Sequence, residues 1–180
     1  MPGNLFKGAY IHKMRRMVLS ILVDNTSGVL SRIAGLFSRR GYNIDSLSVG
    51  VTQDPRYSRM TVAVTGEELT LEQIEKQVAK LEDVREILEL KDNDAVCREL
   101  VLVKVLADEK ERQAIISIAD IFRAKVVDVA LDSLMIELTG NQNKLDAFIK
   151  LLDGFVIKEL VRTGLTGLKR GSGDIADYID

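Results

Sequence analysis

The sequence predicts an α+β fold made of two consecutive βαββαβ units, and three observations lead to it. Apolar alternation and strand-length apolar runs appear in the order strand, helix, strand, strand, helix, strand, and that order then recurs. A polar stretch, Lys91 to Val96, separates the two series. The chain has 180 residues, enough for two small domains, each with a marginal core of its own. A split βαβ unit of this kind is the ferredoxin-like arrangement, an antiparallel sheet with two helices on one face. The second face of such a sheet is open, and the mixed faces of two strands point to pairing with a second subunit.

In the first series, Met17 to Asp24 is an apolar strand that stops at Asp24-Asn25-Thr26-Ser27-Gly28. Val29, Ile33, Leu36 and Phe37 then recur at helical spacing, as do Leu30 and Ala34. Arg39 and Arg40 suit the negative end of that helix, and Gly41 ends it. A second strand begins at Tyr42 and alternates through Leu47, Val49 and Val51 against Ser46, Ser48 and Gly50. Gln53 to Tyr57 turns the chain at Asp54-Pro55, and Ser58 to Thr65 is the third strand. Thr70 and Gln73 have capping-box spacing ahead of a helix with Leu71, Ile74, Val78 and Leu81 inward. Asp83 to Leu90 closes the unit.

The second series runs through a strand at Arg98 to Ala107 and a helix at Lys110 to Phe122. Strands at Ala124 to Leu131 and Leu134 to Thr139 flank Asp132-Ser133, then a helix at Gln142 to Leu152 and a strand at Phe155 to Arg162 complete it. The expected division is a flexible leader over 1–13, domains over 14–91 and 98–165, a linker over 92–97, and a polar, Gly-rich tail over 166–180 that is mobile unless Ile175 to Ile179 docks.

Composition limits the chemistry. Acidic residues (27) and basic ones (25) are interspersed, without the basic excess that phosphate backbones require, so a nucleic-acid partner is not expected. No apolar run reaches about 18 residues and no signal-peptide layout is present, which predicts a cytoplasmic protein without membrane spans. One cysteine, Cys97, and one histidine, His12, leave no material for a disulfide, a His/Cys zinc site or a His-assisted nucleophile. Asp45 and Asp54 read as a solvated face and a turn rather than a catalytic pair. Gly164 to Gly173 lacks the order of a phosphate-binding loop. Two rival classes, a small enzyme and an RNA-binding sheet, lack a catalytic set and exposed aromatics with basic surface respectively.

The most informative local feature is the junction Asn25-Thr26-Ser27-Gly28-Val29-Leu30. It presents backbone N–H groups at a helix start, where carboxylates are favoured. Gly28 allows close approach of a ligand to the backbone. Asn25 offers an amide that can serve both a carboxylate and an ammonium. Val29 and Leu30 stand ready for an aliphatic side chain. A plain capped helix start would account for the same residues, and Asn43 would equally serve to bridge a turn.

Asn25 to Leu30 followed by Arg32 to Ile44 resembles the start of an ACT domain, a ferredoxin-like module that binds small ligands, often amino acids. More narrowly, Gly41-Tyr42-Asn43-Ile44-Asp45-Ser46-Leu47, Ser58-Arg59-Met60-Thr61 and Glu72 to Gln77 are similar to the small regulatory subunit of acetolactate synthase (acetohydroxyacid synthase). So are Arg98-Glu99-Leu100, Leu102 to Val105, Ile121-Phe122-Arg123, Val127-Asp128-Val129, Leu145 to Phe148 and Arg162-Thr163-Gly164. The resemblance implies a non-catalytic chain that activates a catalytic subunit and confers feedback inhibition by a branched-chain amino acid, valine foremost. It implies a homodimer through the ACT domains. In that dimer the effector meets Asn25, Thr26, Ser27, Gly28, Val29 and Leu30 of one subunit and Asn43 and Ile44 of the other. It implies no cofactor on this chain, with thiamine diphosphate, Mg²⁺ and FAD on the catalytic subunit. An ACT-type amino-acid sensor for another metabolic enzyme is the alternative.

Overall fold

The computed structural model describes residues 13–179. The expectations for the leader and for His12 lie outside the described residues, apart from Lys13 at the leader's end. The first unit comprises β1 (Met14–Asp24), α1 (Val29–Arg39), β2 (Ser46–Val51), β3 (Tyr57–Glu67), α2 (Glu68–Val78) and β4 (Val84–Glu89). The second comprises β5 (Ala95–Leu106), α3 (Glu109–Ile121), β6 (Lys125–Val129), β7 (Ser133–Gly140), α4 (Gln142–Leu151) and β8 (Ile157–Arg162), and a short β9 (Thr166–Lys169) follows. The strand orders are β2-β3-β1-β4 and β6-β7-β5-β8, and every pair is antiparallel. The α+β fold of two ferredoxin-like units is thus what the strand and helix patterns predict.

Period-two alternation sets the core. Met17, Leu19, Ile21 and Val23 of β1 stand opposite Met60, Val62 and Val64 of β3 and pack against Ile33, Phe37, Leu71 and Ile74 of the helices. Burying each such side chain contributes about 1.5–3 kcal/mol. The second core repeats the plan with Val101, Val103, Val105, Ile136, Ile115 and Phe148.

The centre of the other face of the first sheet is also buried. Ser20, Thr61 and Ala63 are no more than 2% exposed. The chain itself supplies part of the cover. After β8 it turns back across this face: Ser46 Oγ accepts from Leu165 N–H at 2.7 Å, and Ser48 Oγ donates to Leu165 O at 2.8 Å. Thr61 Oγ1 accepts from Gly167 N–H at 3.1 Å. Residues 166–169, expected in a mobile tail, form β9 because they pair with residues 95–98 of β5. Residues 95–97, expected in a linker, are therefore the first turnings of a long strand whose two halves serve different partners. Tyr178 hydrogen-bonds Glu86 beyond it, so part of the expected tail docks as well.

Helix ends depart from the sequence pattern in one place and follow it in another. α2 starts at Glu68, ahead of Thr70, with Glu67 as an N-cap that makes no side-chain cap bond, so Thr70 and Gln73 do not form the expected capping box. β3 runs straight into the helix and leaves no room for a cap at Thr70. The α1 C-terminus matches expectation. Gly41 has φ +69, its N–H reaches Ser38 O, and Tyr42 N–H reaches Phe37 O at 2.9 Å. α3 ends with the same pair of bonds, but the left-handed position there is Arg123, at φ +56.

Two stability predictions follow from these contacts. Arg123→Gly relieves a left-handed side chain and raises unfolding free energy by about 1 kcal/mol in urea titration. Gly167→Ala places a Cβ 2.5 Å from Leu90 Cδ1 and 2.7 Å from Cys97 Sγ, and lowers stability by about 1–3 kcal/mol in the same titration.

Candidate functional site

The β1–α1 junction and the start of β2 are the residues singled out by sequence. Asn25, Thr26, Ser27 and Gly28 are all exposed, and Gly28 is the N-cap of α1 at φ +88. A left-handed glycine here places no side-chain acceptor on the first-turn N–H groups, and the first turn carries no acidic residue. Leu30 is 42% exposed, whereas Val29 is 3% exposed and belongs to the core. Of the two aliphatic candidates, Leu30 alone offers its side chain outward.

Asn25 is partly committed. Its Nδ2 donates to Pro55 O at 2.9 Å, and its Oδ1 accepts from Ser58 Oγ at 3.1 Å. These bonds clamp the junction to the β2–β3 turn. They leave one amide hydrogen and one lone pair of the side chain for another partner. Asn43 is exposed and donates to Asp45 Oδ1 at 3.3 Å, while Ile44 is half-buried against the core. Asp45 in turn accepts from Thr65 Oγ1, and Asp54 pairs with Arg56 at 2.7 Å, so the two carboxylates serve separate structures.

Within one chain the two groups of candidates do not converge. They flank the two ends of α1, an 11-residue helix about 16 Å long.

Pattern reading missed Arg32 and Asp83. Arg32 Nε and Nη2 donate to Asp83 Oδ2 and Oδ1 at 2.6 and 2.9 Å. The guanidinium also lies beside the helix tip, with Nη1 2.9 Å from where a Cβ on Gly28 would sit. The guanidinium is neutralised by Asp83, and its Nη1 adds a further N–H donor beside the N–H groups of the helix tip. Arg32 is four residues after Gly28, a spacing that places it one turn along the same face; nothing in the sequence announces Asp83, 51 residues further on. The second unit provides a contrast. At the start of α3, Asp108 accepts from Lys110 N–H and Glu111 N–H, both at 2.8 Å, and Glu109 and Glu111 add negative charge. That helix end is occupied by its own carboxylate, and the end of α1 is not.

The Arg32 guanidinium holds the Asp83 carboxyl below the ordinary aspartate value of 3.8. A carboxyl lowered on folding contributes stability above its unfolded value and loses it as pH falls through the folded one. Wild type therefore melts higher than Asp83→Asn near neutral pH. The two melting temperatures converge as pH drops below about 3.8.

The chain is similar to known proteins over most of its length. Residues 19–86 match the AHAS small subunit-like ACT domain, and residues 98–171 match the small subunit of acetolactate synthase. The acetolactate synthase small subunit of Mycobacterium bovis is 48% identical over 153 residues, which is 85% of this chain and 91% of that one. The Haemophilus influenzae small subunit is 47% identical over 161 residues, 89% of this chain and 99% of its own. The crystal structure of the Thermotoga maritima small subunit superposes with a TM-score of 0.81 at 39% identity, covering 88% of this chain and 99% of that chain. With a bare helix tip in an ACT unit, a second ferredoxin-like unit behind it and relatives matched over nearly their whole length, the chain belongs to the acetolactate synthase small-subunit family.

Proposed function

We propose that this chain is the regulatory subunit of acetolactate synthase. It binds the catalytic subunit, raises its activity, and lowers that activity when a branched-chain amino acid binds a homodimer of ACT units. Thiamine diphosphate, Mg²⁺ and FAD belong to the catalytic partner; the inventory of one histidine and one cysteine supports a chain without chemistry of its own. The charge balance supports a reading without nucleic acid, and no helix among the described residues is long and apolar enough to cross a membrane.

The observation that carries the effector reading is the open end of α1 beside Arg32, set against the self-capped end of α3. The α-carboxylate of an amino acid suits that end, the free capacity of Asn25 suits its head group, and Leu30 suits an aliphatic side chain. Asn43 and Ile44 enter from a second subunit. β2 is an edge strand with Val49 and Val51 exposed at 47% and 60% and no charged or proline residue to block pairing. It is therefore the edge we assign to the two-fold contact. An aliphatic pocket separates ligands differing by one methylene by about 1–3 kcal/mol, so valine leads leucine and isoleucine by preference rather than exclusion. Effector and catalytic subunit then influence each other by a coupling of about 1–3 kcal/mol.

Calorimetry with L-valine tests the site through a pair of substitutions matched in size and differing in charge. Wild type binds, Gly28→Asn retains measurable binding, and Gly28→Asp binds at least about tenfold more weakly, because the added carboxylate takes the place of the ligand's own. Equal heats from all three proteins remove the assignment. Val49→Lys shifts the dimer toward monomer in size-exclusion chromatography and weakens valine binding with it. Acetolactate formed from pyruvate by the isolated chain would overturn the non-catalytic reading, and a pull-down that recovers a different enzyme would favour the more general amino-acid sensor.

A further inference from the structure

At the joint between the two units lies a cleft of about 680 Å³ that the effector reading leaves unused. Its floor is apolar, with Leu90, Ala95 and Leu165 each no more than 6% exposed. Its walls bring together Arg16 of β1, Lys91 after β4, Arg98 of β5 and Arg170 after β9. Against these four cations stand two carboxylates, Glu89 and Asp92. Glu89 is engaged with Arg15 at 2.5 Å. In a chain whose net charge is -2, this is a local positive excess.

Of the four, Arg16 alone has a buried side-chain nitrogen without a partner among the described residues. It donates through Nη1 to Gln142 Oε1, a neutral group, and forms no ion pair with a carboxylate among the described residues. Its Nε is buried without a hydrogen-bond partner there. Gln142 is the first residue of α4, a 10-residue helix with no acid in its first turn. Arg16 thus brings a cation to the positive end of a helix, the wrong sign for that end. Asn141 caps only Lys144 N–H, at 2.9 Å, which leaves the N–H groups of Gln142 and Asn143 outside the cap. Arg98 and Arg16 also act on the same spot: burial and Asp92 push the Cys97 thiol up, and both arginines pull it back.

We propose that this cleft binds a small anion of the phosphate class, held by Arg16 and the first turn of α4 and flanked by Arg98, Arg170 and Lys91. An oxyanion there offsets the unpaired charge of Arg16, corrects the charge at the helix end and neutralises the excess on the walls. The apolar floor accommodates the non-phosphate part of an organic phosphate.

Titration of the full chain with sodium pyrophosphate, and in a second arm with ADP, tests this at low ionic strength. One pyrophosphate binds per chain. Arg98→Gln with Arg170→Gln weakens it at least about tenfold while the melting temperature is kept, since both side chains are exposed. Arg16→Gln weakens it further. Tighter binding of ADP than pyrophosphate assigns the floor to an organic group, and equal binding assigns the cleft to the inorganic anion. No saturable binding in either arm, or affinity indifferent to the loss of Arg98 and Arg170, overturns the proposal.

Discussion

The constraint on which the rest of the molecule depends is the burial of polar groups on the second face of the first sheet. Ser20 and Thr61 are at most 2% exposed there, and a hydroxyl removed from water without a partner costs about 1–3 kcal/mol. The return segment after β8 meets that demand at several points, with Ser46, Ser48 and Thr61 each bonded to its backbone or side chains. Close approach requires small residues. Gly164 sits at φ +82 with its would-be Cβ 2.7 Å from Ser46 Oγ, and Gly167 fits between Leu90 and Cys97. Deeper in the same face, Arg59 reaches both Ser20 and Glu86, and Tyr178 hydrogen-bonds the same carboxylate. The two units are therefore one packed object: the second covers the first with its own chain, and the cleft lined by Arg16 exists because they are held together in this way.

The two units share a plan but differ at helix ends. α1 and α3 occupy the same place in the order of elements. One starts with a left-handed glycine and an arginine alongside, the other with an aspartate capping box. The difference is electrostatic: one tip has no acceptor of its own on its first-turn N–H groups, and the other already holds a carboxylate. The C-terminal ends differ in the opposite sense. Gly41 adopts the left-handed conformation at little cost, and Arg123 adopts it with a Cβ in the way. The first unit is relaxed where β2 begins and unfinished where its first helix begins.

How much of this was legible in the sequence depended on range. Strands and helices followed from period, because Leu19, Ile21 and Val23, or Ile33 and Phe37, can face one core only in those conformations. The end of α1 at Gly41 was legible because the signal is a single residue. The start of α2 was not, since Thr70 and Gln73 have the right spacing but β3 continues to Glu67. The alternation of Ser46 and Ser48 with apolar neighbours identified a face in need of a cover, and pattern alone assigned the cover to another subunit. The return segment supplies much of it, through bonds between residues more than 100 positions apart. Arg32 and Asp83 were hidden for the same reason: an ion pair of two common residues leaves no periodic trace.

What one chain leaves incomplete bears on regulation. Asn25 and Asn43 flank opposite ends of α1, whose 11 residues span about 16 Å. A short amino acid cannot reach from one to the other. On the proposed reading, a second subunit brings its own Asn43 and Ile44 to the open tip, and the edge strand that begins just after them makes the contact. Each effector would then touch both subunits, so binding and dimer geometry would be linked: whatever strengthens the two-fold contact strengthens the effector, by the same free energy in both directions. On the same reading β2 would carry the coupling further than the dimer edge, because its other face is bonded through Ser46 and Ser48 to the return segment of the second unit. A shift of that strand on binding would pull on those bonds, and so would reach the packed neighbour behind it.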